Sequence, residues 1–380
     1  MRISAPWLDD PAPRAVCAML EGAGHRALFV GGTVRNALMG IAPGDIDIAT
    51  DALPETVVAL AKAAGLRPVP TGIEHGTVTV VAHHEGIEVT TFRRDVSTDG
   101  RRATVAFSDR IEEDAARRDF TMNALYATPE GQVIDPLDGL PDLMARRVRF
   151  VGDPHARITE DFLRILRFFR FHAWYGDTDG GLDPEGLAAC AALAEGIGRL
   201  SRERVGAEVK KLLSAPDPAP SVAAMAAAGV LARALPGAEA TALAPLVHLE
   251  GDRAADPIRR LAVLGGTDVA DTLRLGKGEA RRLAAIRDGA LEGTAAAELG
   301  YRIGAADAVS AGLVRAALTG TPPPPDAEAE AARGAAAVFP VRAADLMPAL
   351  SGPALGRRMK ELENRWVASG FALSRDDLLA

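Results

Sequence analysis

The segment Asp45-Ile46-Asp47-Ile48 sets two carboxylates two residues apart. Side chains alternate between the faces of a β-strand, so Asp45 and Asp47 are expected on one side, about 7 Å apart, with Ile46 and Ile48 packing behind them. Two acids aimed at one spot repel unless a cation lies between them. Hard divalent ions such as magnesium take carboxylate oxygens and leave positions open for phosphate. Upstream, Leu28-Phe29-Val30 runs into Gly31-Gly32 and then into Val34-Arg35-Asn36-Ala37-Leu38-Met39, where apolar residues recur at helical spacing. This reads as strand, tight glycine turn and short helix. Backbone N–H groups at Gly31 and Gly32 can approach a triphosphate with no side chain in the way, and Arg35 can add its guanidinium. Alone, Asp-Ile-Asp is equally a solvated edge strand. This close to Gly-Gly-x-x-Arg, nucleotidyl transfer is the better reading.

A second group of polar residues lies in 158–171, ITEDFLRILRFFRF. On one helix Asp161, Arg164 and Arg167 share a broad face, while Phe162, Ile165, Leu166 and Phe169 form the apolar side. By spacing alone this is a salt-bridged amphipathic helix. The chemistry of base selection favours more: a carboxylate accepts from the exocyclic amine of cytosine or adenine, which uracil and guanine replace by a carbonyl. An adjacent guanidinium donates to the ring edge, so one Asp-Arg pair admits C and A and repels U and G. Between the two groups lies DAARRDFTMNAL, 114–125. There Arg118 is a candidate for triphosphate or sugar, Asp119 can fix the arginine, and Asn123 can hold backbone or ribose.

GGTVRNALMG followed by GDIDIAT resembles the signature of the polymerase-β-type nucleotidyltransferase superfamily, specifically the class II branch of tRNA CCA-adding enzymes and bacterial poly(A) polymerases. The run Arg117-Arg118-Asp119-Phe120-Thr121-x-Asn123-Ala124 and Glu160-Asp161-Phe-Leu-Arg164 are similar to two further motifs of that family. The resemblance implies that Asp45 and Asp47 are catalytic and hold two magnesium ions, one lowering the pKa of the tRNA 3′-hydroxyl and the other steadying the leaving pyrophosphate. It implies that Gly32, Arg35 and Arg118 cradle phosphates, and that Asp161 with Arg164 selects CTP and then ATP, the protein acting as template. Arg167 and Arg170 carry over as nucleotide contacts, Arg170 more weakly, because on an ideal helix it lies about half a turn from Asp161. The implied partner is tRNA, with neither DNA nor a membrane. Asp99-Gly100-Arg101-Arg102 resembles a loop tied in CCA-adding enzymes to the step from C to A. Glu88 is either a third acid near the metals or a solvent-facing residue. A poly(A) polymerase, an A-only enzyme and a non-catalytic RNA-binding module remain open. The last predicts binding without magnesium-dependent pyrophosphate release.

These groups need elements to hold them. Helices are expected over 11–23 and 53–65, a hairpin over 77–82 and 87–92 around His83 and Gly86, a mobile loop over 93–109, and a closing turn over 135–139. Gly22 to Ala27 fits a dinucleotide-binding pattern but precedes its strand instead of following it, and is rejected. Beyond Gly176 alanine and leucine dominate and strand signals disappear. Residues 201–213 resemble the last helix of the family's neck, with Ser201 as its cap. The expected architecture is an α/β (α+β) head with a mixed sheet over 1–148, then all-α neck (149–213), body (214–325) and tRNA-binding tail (326–380).

Of 380 residues, 48% are hydrophobic and 25% charged, ordinary for a globular chain. The net charge of −8 argues mildly against nucleic acid, but arginine is locally dense near 93–94, 101–102, 117–118, 146–147, 164–170 and 199–211. Cys17 and Cys190 suggest neither a disulfide framework nor zinc. The opening MRISAPWLDD lacks the basic-then-apolar pattern of a leader, and no apolar run is long enough to span a bilayer, so a cytoplasmic location is expected.

Overall fold

The computed structural model describes residues 1–98, 103–347 and 349–380. The elements are α1 (Pro11–Gly22), β1 (Leu28–Val30), α2 (Gly32–Leu38), β2 (Asp47–Thr50), α3 (Pro54–Ala63), β3 (Arg67–Gly72), β4 (Thr77–Ala82), β5 (Glu85–Thr91), β6 (Arg93–Thr98), β7 (Ala103–Phe107), α4 (Ile111–Ala116), β8 (Tyr126–Ala127), β9 (Val133–Ile134), α5 (Leu140–Met144), α6 (Pro154–Glu160), α7 (Leu163–Tyr175), α8 (Pro184–Ala192) and α9 (Arg202–Leu213). After these, the elements among the described residues are helices: α10 (Ala219–Ala227), α11 (Val230–Ala234), α12 (Leu243–Glu250), α13 (Pro257–Leu264), α14 (Val269–Thr272), α15 (Lys277–Glu292), α16 (Ala296–Ile303), α17 (Ala305–Thr319), α18 (Ala327–Ala336), α19 (Ala343–Leu346), α20 (Gly352–Ala368) and α21 (Arg375–Leu379). The mixed head and helical remainder match the expected fold class.

The chain divides into two compact units, one of Met1–Glu208 with Ala224–Ala234, the other of Val209–Ala223 with Leu235–Ala380. In the first, seven strands run in the order β3-β4-β5-β2-β1-β8-β9, with β2 and β5 parallel and the other neighbours antiparallel. Buried Val78, Val80 and Ala82 alternate along β4 as a half-buried strand requires. The expected hairpin is β4–β5, closed by His83 and His84, both at positive φ (48° and 71°), as a two-residue turn that follows the strand twist demands. Residues 149–208 belong to this same unit, where Phe120 of the head packs against Phe150 and against Phe168 and Phe171 of α7 at centroid distances of 4.9 to 6.3 Å, and Phe150 stacks on Phe168 at 5.4 Å.

Two expectations change. The segment read as a mobile loop forms an antiparallel pair, β6 with β7, separate from the main sheet; Asp99-Gly100-Arg101-Arg102 lies outside the described residues. β3 was not anticipated; it contains Pro68 and Pro70, which are tolerated at the sheet edge, where a proline need not donate.

In the second unit α16 and α18 approach closely. A Cβ on Gly300 would lie 2.0 Å from Ala331 O, and one on Gly334 would lie 1.8 Å from Ala297 O, so glycine is required at both. Its polar centre is Glu250, 2% exposed, which accepts from Arg259 Nε at 2.7 Å and from Arg260 Nη2 at 2.6 Å, while Arg260 also donates to Leu213 O at 2.7 Å. Glu250→Ala strands two buried guanidinium groups and should cost about 3–5 kcal/mol. Thermal unfolding should show it as a large drop in Tm, whereas Glu195→Ala, at an exposed pair with Arg233, should change Tm little.

Candidate active site

The glycine turn and the acids occupy one end of β1 and β2. Gly31 has φ +67° and precedes α2, and a Cβ there would lie 3.1 Å from Arg118 Nη1, so both backbone conformation and close approach demand glycine. Only Asp47 of the two aspartates lies within β2; Asp45 sits in the bend before it, exposed, its carbonyl accepting from Thr33 Oγ1 at 2.8 Å. Ile48, Ala49 and Thr50 are all buried, so β2 is covered on both faces and does not alternate as the sequence pattern suggested.

Asp47 pairs in register with Glu88 on the parallel strand β5. Register partners of a sheet share a face, and Glu88 is exposed between buried Ile87 and Val89. Burial, then the charge of Glu88, then that of Asp45, push the Asp47 carboxyl up to about 6, against the opposing pull of Arg118. Glu88 and Asp45 are therefore both within electrostatic reach of Asp47, and Glu88 acts on it the more strongly. Among the described residues no group of three or more His, Cys, Asp or Glu side chains is placed to hold a metal ion by itself. An all-oxygen, partly open set with excess negative charge still fits a hard divalent cation whose other ligands are phosphate and water.

Arg118 is fixed from beneath. It donates through Nη2 to Asp114 Oδ2 at 3.0 Å and through Nε to Tyr126 Oη at 3.2 Å, and the Tyr126 hydroxyl donates to the same Asp114 oxygen at 2.6 Å. Its Nη1 stands close to the Gly31 turn, and its charge acts on Asp47.

Arg35 is placed differently from the phosphate ligand the sequence suggested. It is 5% exposed, donates to Asn36 Oδ1 through Nε and Nη2 at 3.1 and 2.8 Å and to Asn123 Oδ1, and lies 3.8 Å from the Tyr175 ring centroid. Gly32 lies above it, a Cβ there being 3.6 Å from Arg35 Nη2. Asn123 in turn donates to Asp119 Oδ1 at 2.9 Å, and Arg167 donates to Asp119 Oδ2. Burial raises the Asp119 carboxyl, but the Arg167 charge with the Asn123, Arg167 and Phe120 N–H bonds outweighs it and holds the group at about 2. Arg170 donates to Glu208 Oε2 at 2.6 Å, and Arg167 lies 3.9 Å from Glu208 Oε1. Arg35, Arg167 and Arg170 all lie within 5.3 Å of the Phe171 ring centroid. Arg170, expected half a turn away, so joins this network through Glu208.

The single helix expected over 158–171 is two. α6 ends at Glu160 and α7 starts at Leu163, with Asp161 extended between them (φ −154°). Asp161 Oδ1 accepts from Leu163 N at 3.1 Å, and such local carboxylate bonds compete with the helix for backbone donors. Its Oδ2 accepts from Arg204 Nη2 at 2.7 Å, so its ion-pair partner is Arg204 and not Arg164. Arg164 donates to Glu160 Oε2 and to Arg157 O at 2.6 Å, bracing the bend. Phe162, Ile165, Leu166 and Phe169 are buried as expected. Arg204 and Glu208 are the site residues that sequence reasoning missed. They lie four apart on α9, where the Arg204 N–H reaches Ser201 Oγ at 3.4 Å, and the arginine density of 199–211 was their only signal.

Residues 27–149 match the family model described as Poly A polymerase head domain, and 181–241 match one described as Probable RNA and SrmB-binding site of polymerase A. The chain is 44% identical over 190 residues to human mitochondrial CCA tRNA nucleotidyltransferase 1, covering 50% of this chain and 44% of that protein. It is 45% identical over 207 residues to the CCA-adding enzyme of Levilactobacillus brevis, covering 54% and 50%. The matches thus span about half the length of these curated relatives. Among solved structures, the Bacillus stearothermophilus CCA-adding enzyme in complex with CTP superposes with a TM-score of 0.76 at 30% identity, covering 93% of this chain and 91% of that one. No described helix is long and apolar enough to cross a membrane.

A carboxyl whose folded pKa is raised favours the fold fully below its unfolded value and loses that contribution as pH rises through about 6. In metal-free protein at pH 7 ionised Asp47 is therefore destabilising. Asp47→Asn should raise stability there by about 1–3 kcal/mol, read by urea unfolding, and the difference should close as pH falls below about 4.

Proposed function

Because the chain belongs to the CCA-adding nucleotidyltransferase family, we propose that it adds C, C and then A to the 3′ end of tRNA, from CTP and ATP, with release of pyrophosphate. The observation that carries this reading is the grouping of Asp45, Asp47 and Glu88 beside the Gly31 turn and Arg118. Asp45 and Asp47, with Glu88 alongside, would hold magnesium, which supplies activation of the attacking 3′-hydroxyl and neutralisation of the leaving pyrophosphate. The Gly31-Gly32 backbone lets the triphosphate approach, and Arg118 supports it with a charge already oriented by Asp114 and Tyr126. Such transfers depend mainly on positioning and charge stabilisation.

Asp161 accepts from the exocyclic amine of C or A, and Arg164, which in the free protein is held by Glu160 and Arg157 O, would turn to the ring edge to donate there. Arg167 and Arg170 present fixed guanidinium groups along the nucleotide. Orientation of Asp161 falls to Arg204 and of the two arginines to Asp119 and Glu208.

The test supplies tRNA ending before CCA, tRNA ending in CC and an unstructured RNA, each with single nucleotides and magnesium. CCA on the first supports the reading. A added only to the CC-ended tRNA makes it an A-adding enzyme, and long A runs on any RNA a poly(A) polymerase. Asp161→Ala should lower discrimination against UTP and GTP by about 1–3 kcal/mol. Unchanged selectivity, measured as a ratio of kcat/KM values, counts against the template role. Asp45→Ala should abolish transfer and leave tRNA affinity largely intact.

A further inference from the structure

Arg35 is a buried cation held by neutral groups. Its nitrogens donate to the amide oxygens of Asn36 and Asn123, and its Cζ lies over the Tyr175 ring at 3.8 Å from the centroid, with the Phe171 centroid at 5.2 Å. Tyr175 is the last residue of α7, the helix that carries Arg164, Arg167 and Arg170. Arg35 belongs to α2, the helix that follows the glycine turn. A guanidinium taken out of water without a carboxylate in contact needs another source of negative potential, and the face of an aromatic ring supplies it. Without that ring, Arg35 gains by turning toward solvent, and Asn123 loses the donor that fixes its amide. The Asn123 amide is also what donates to Asp119, the carboxylate that holds Arg167.

We infer that Tyr175 is a positioning residue that couples the phosphate end of the site to the base end: its ring clamps Arg35, which keeps Asn123 and through it Asp119 and Arg167 in register with the glycine turn. The hydroxyl has no part in this; the ring face does. The inference rests on the nucleotide-addition reading above.

The experiment compares wild type, Tyr175→Leu, Tyr175→Phe, Arg35→Gln and the double variant Tyr175→Leu/Arg35→Gln in single-nucleotide addition to tRNA, with KM for CTP and ATP measured separately from kcat. Desolvated cation–π contacts imply that Tyr175→Leu raises KM for both nucleotides roughly 3- to 30-fold. Tyr175→Phe, which keeps the ring, should restore KM toward wild type. The double variant should be no worse than the more affected single variant, because both changes break one linkage. A general folding defect lowers the active fraction, and hence apparent kcat, without moving KM. An unchanged KM in Tyr175→Leu, a Tyr175→Phe defect as large as that of Leu, or additive losses in the double variant overturn the inference. Absence of nucleotide addition by wild type overturns the activity reading instead.

Discussion

Crowding of like charge is the constraint around which the head is built. Partial burial and the neighbouring Glu88 and Asp45 raise Asp47 to about 6, so folding gathers acids that would separate if the chain allowed it. The fold opposes this separation from behind and from the side. Ile48 and Val89, register partners one step along from Asp47 and Glu88, are buried completely on the opposite face of the sheet, and β2 is pinned between β1 and β5. Arg118 tempers the repulsion, and it can stand so near only because position 31 lacks a side chain. Glycine at the turn, arginine behind it and acids before it are one electrostatic arrangement spread from Gly31 to Arg118. Such a site is destabilising when empty and favourable when a cation and a polyphosphate share it.

The reach of the sequence follows from the range over which each feature is decided. The strand, turn and helix around Gly31, the β4–β5 hairpin and the apolar face of α7 depend on near neighbours, and their periodicity was readable. The bend at Asp161 was not. Whether that carboxylate continues a helix or bonds Leu163 N depends on Arg204, forty-three residues later. The same holds for Arg35: spacing from the glycines made it a phosphate ligand, but its burial depends on Asn123 and Tyr175, which no local pattern connects to it. The position of Glu88 required the parallel pairing of β2 with β5, a long-range register that alternation within one strand cannot supply.

In the second unit the limit was of another kind. Alanine-rich helices carry little local information because many registers pack alanine equally well. What fixes the pairing of α16 with α18 is glycine at 300 and 334, where any side chain meets a carbonyl oxygen. Glu250, with Arg259 and Arg260, then imposes a polar condition that an alternative packing would leave unmet.

The bend between α6 and α7 has a consequence for how strongly a nucleobase can be held. Asp161 has one oxygen engaged by a backbone amide and the other by a guanidinium, yet its side chain stays 29% exposed. Its rotameric freedom is therefore surrendered when the chain folds and not when the ligand arrives, which removes an entropic penalty of about 0.5–1.5 kcal/mol from association. A carboxylate has acceptor capacity beyond two bonds, so the immobilised group keeps lone pairs to offer. Rigidity of this sort favours ligands that match a fixed hydrogen-bond pattern and gives little accommodation to those that do not.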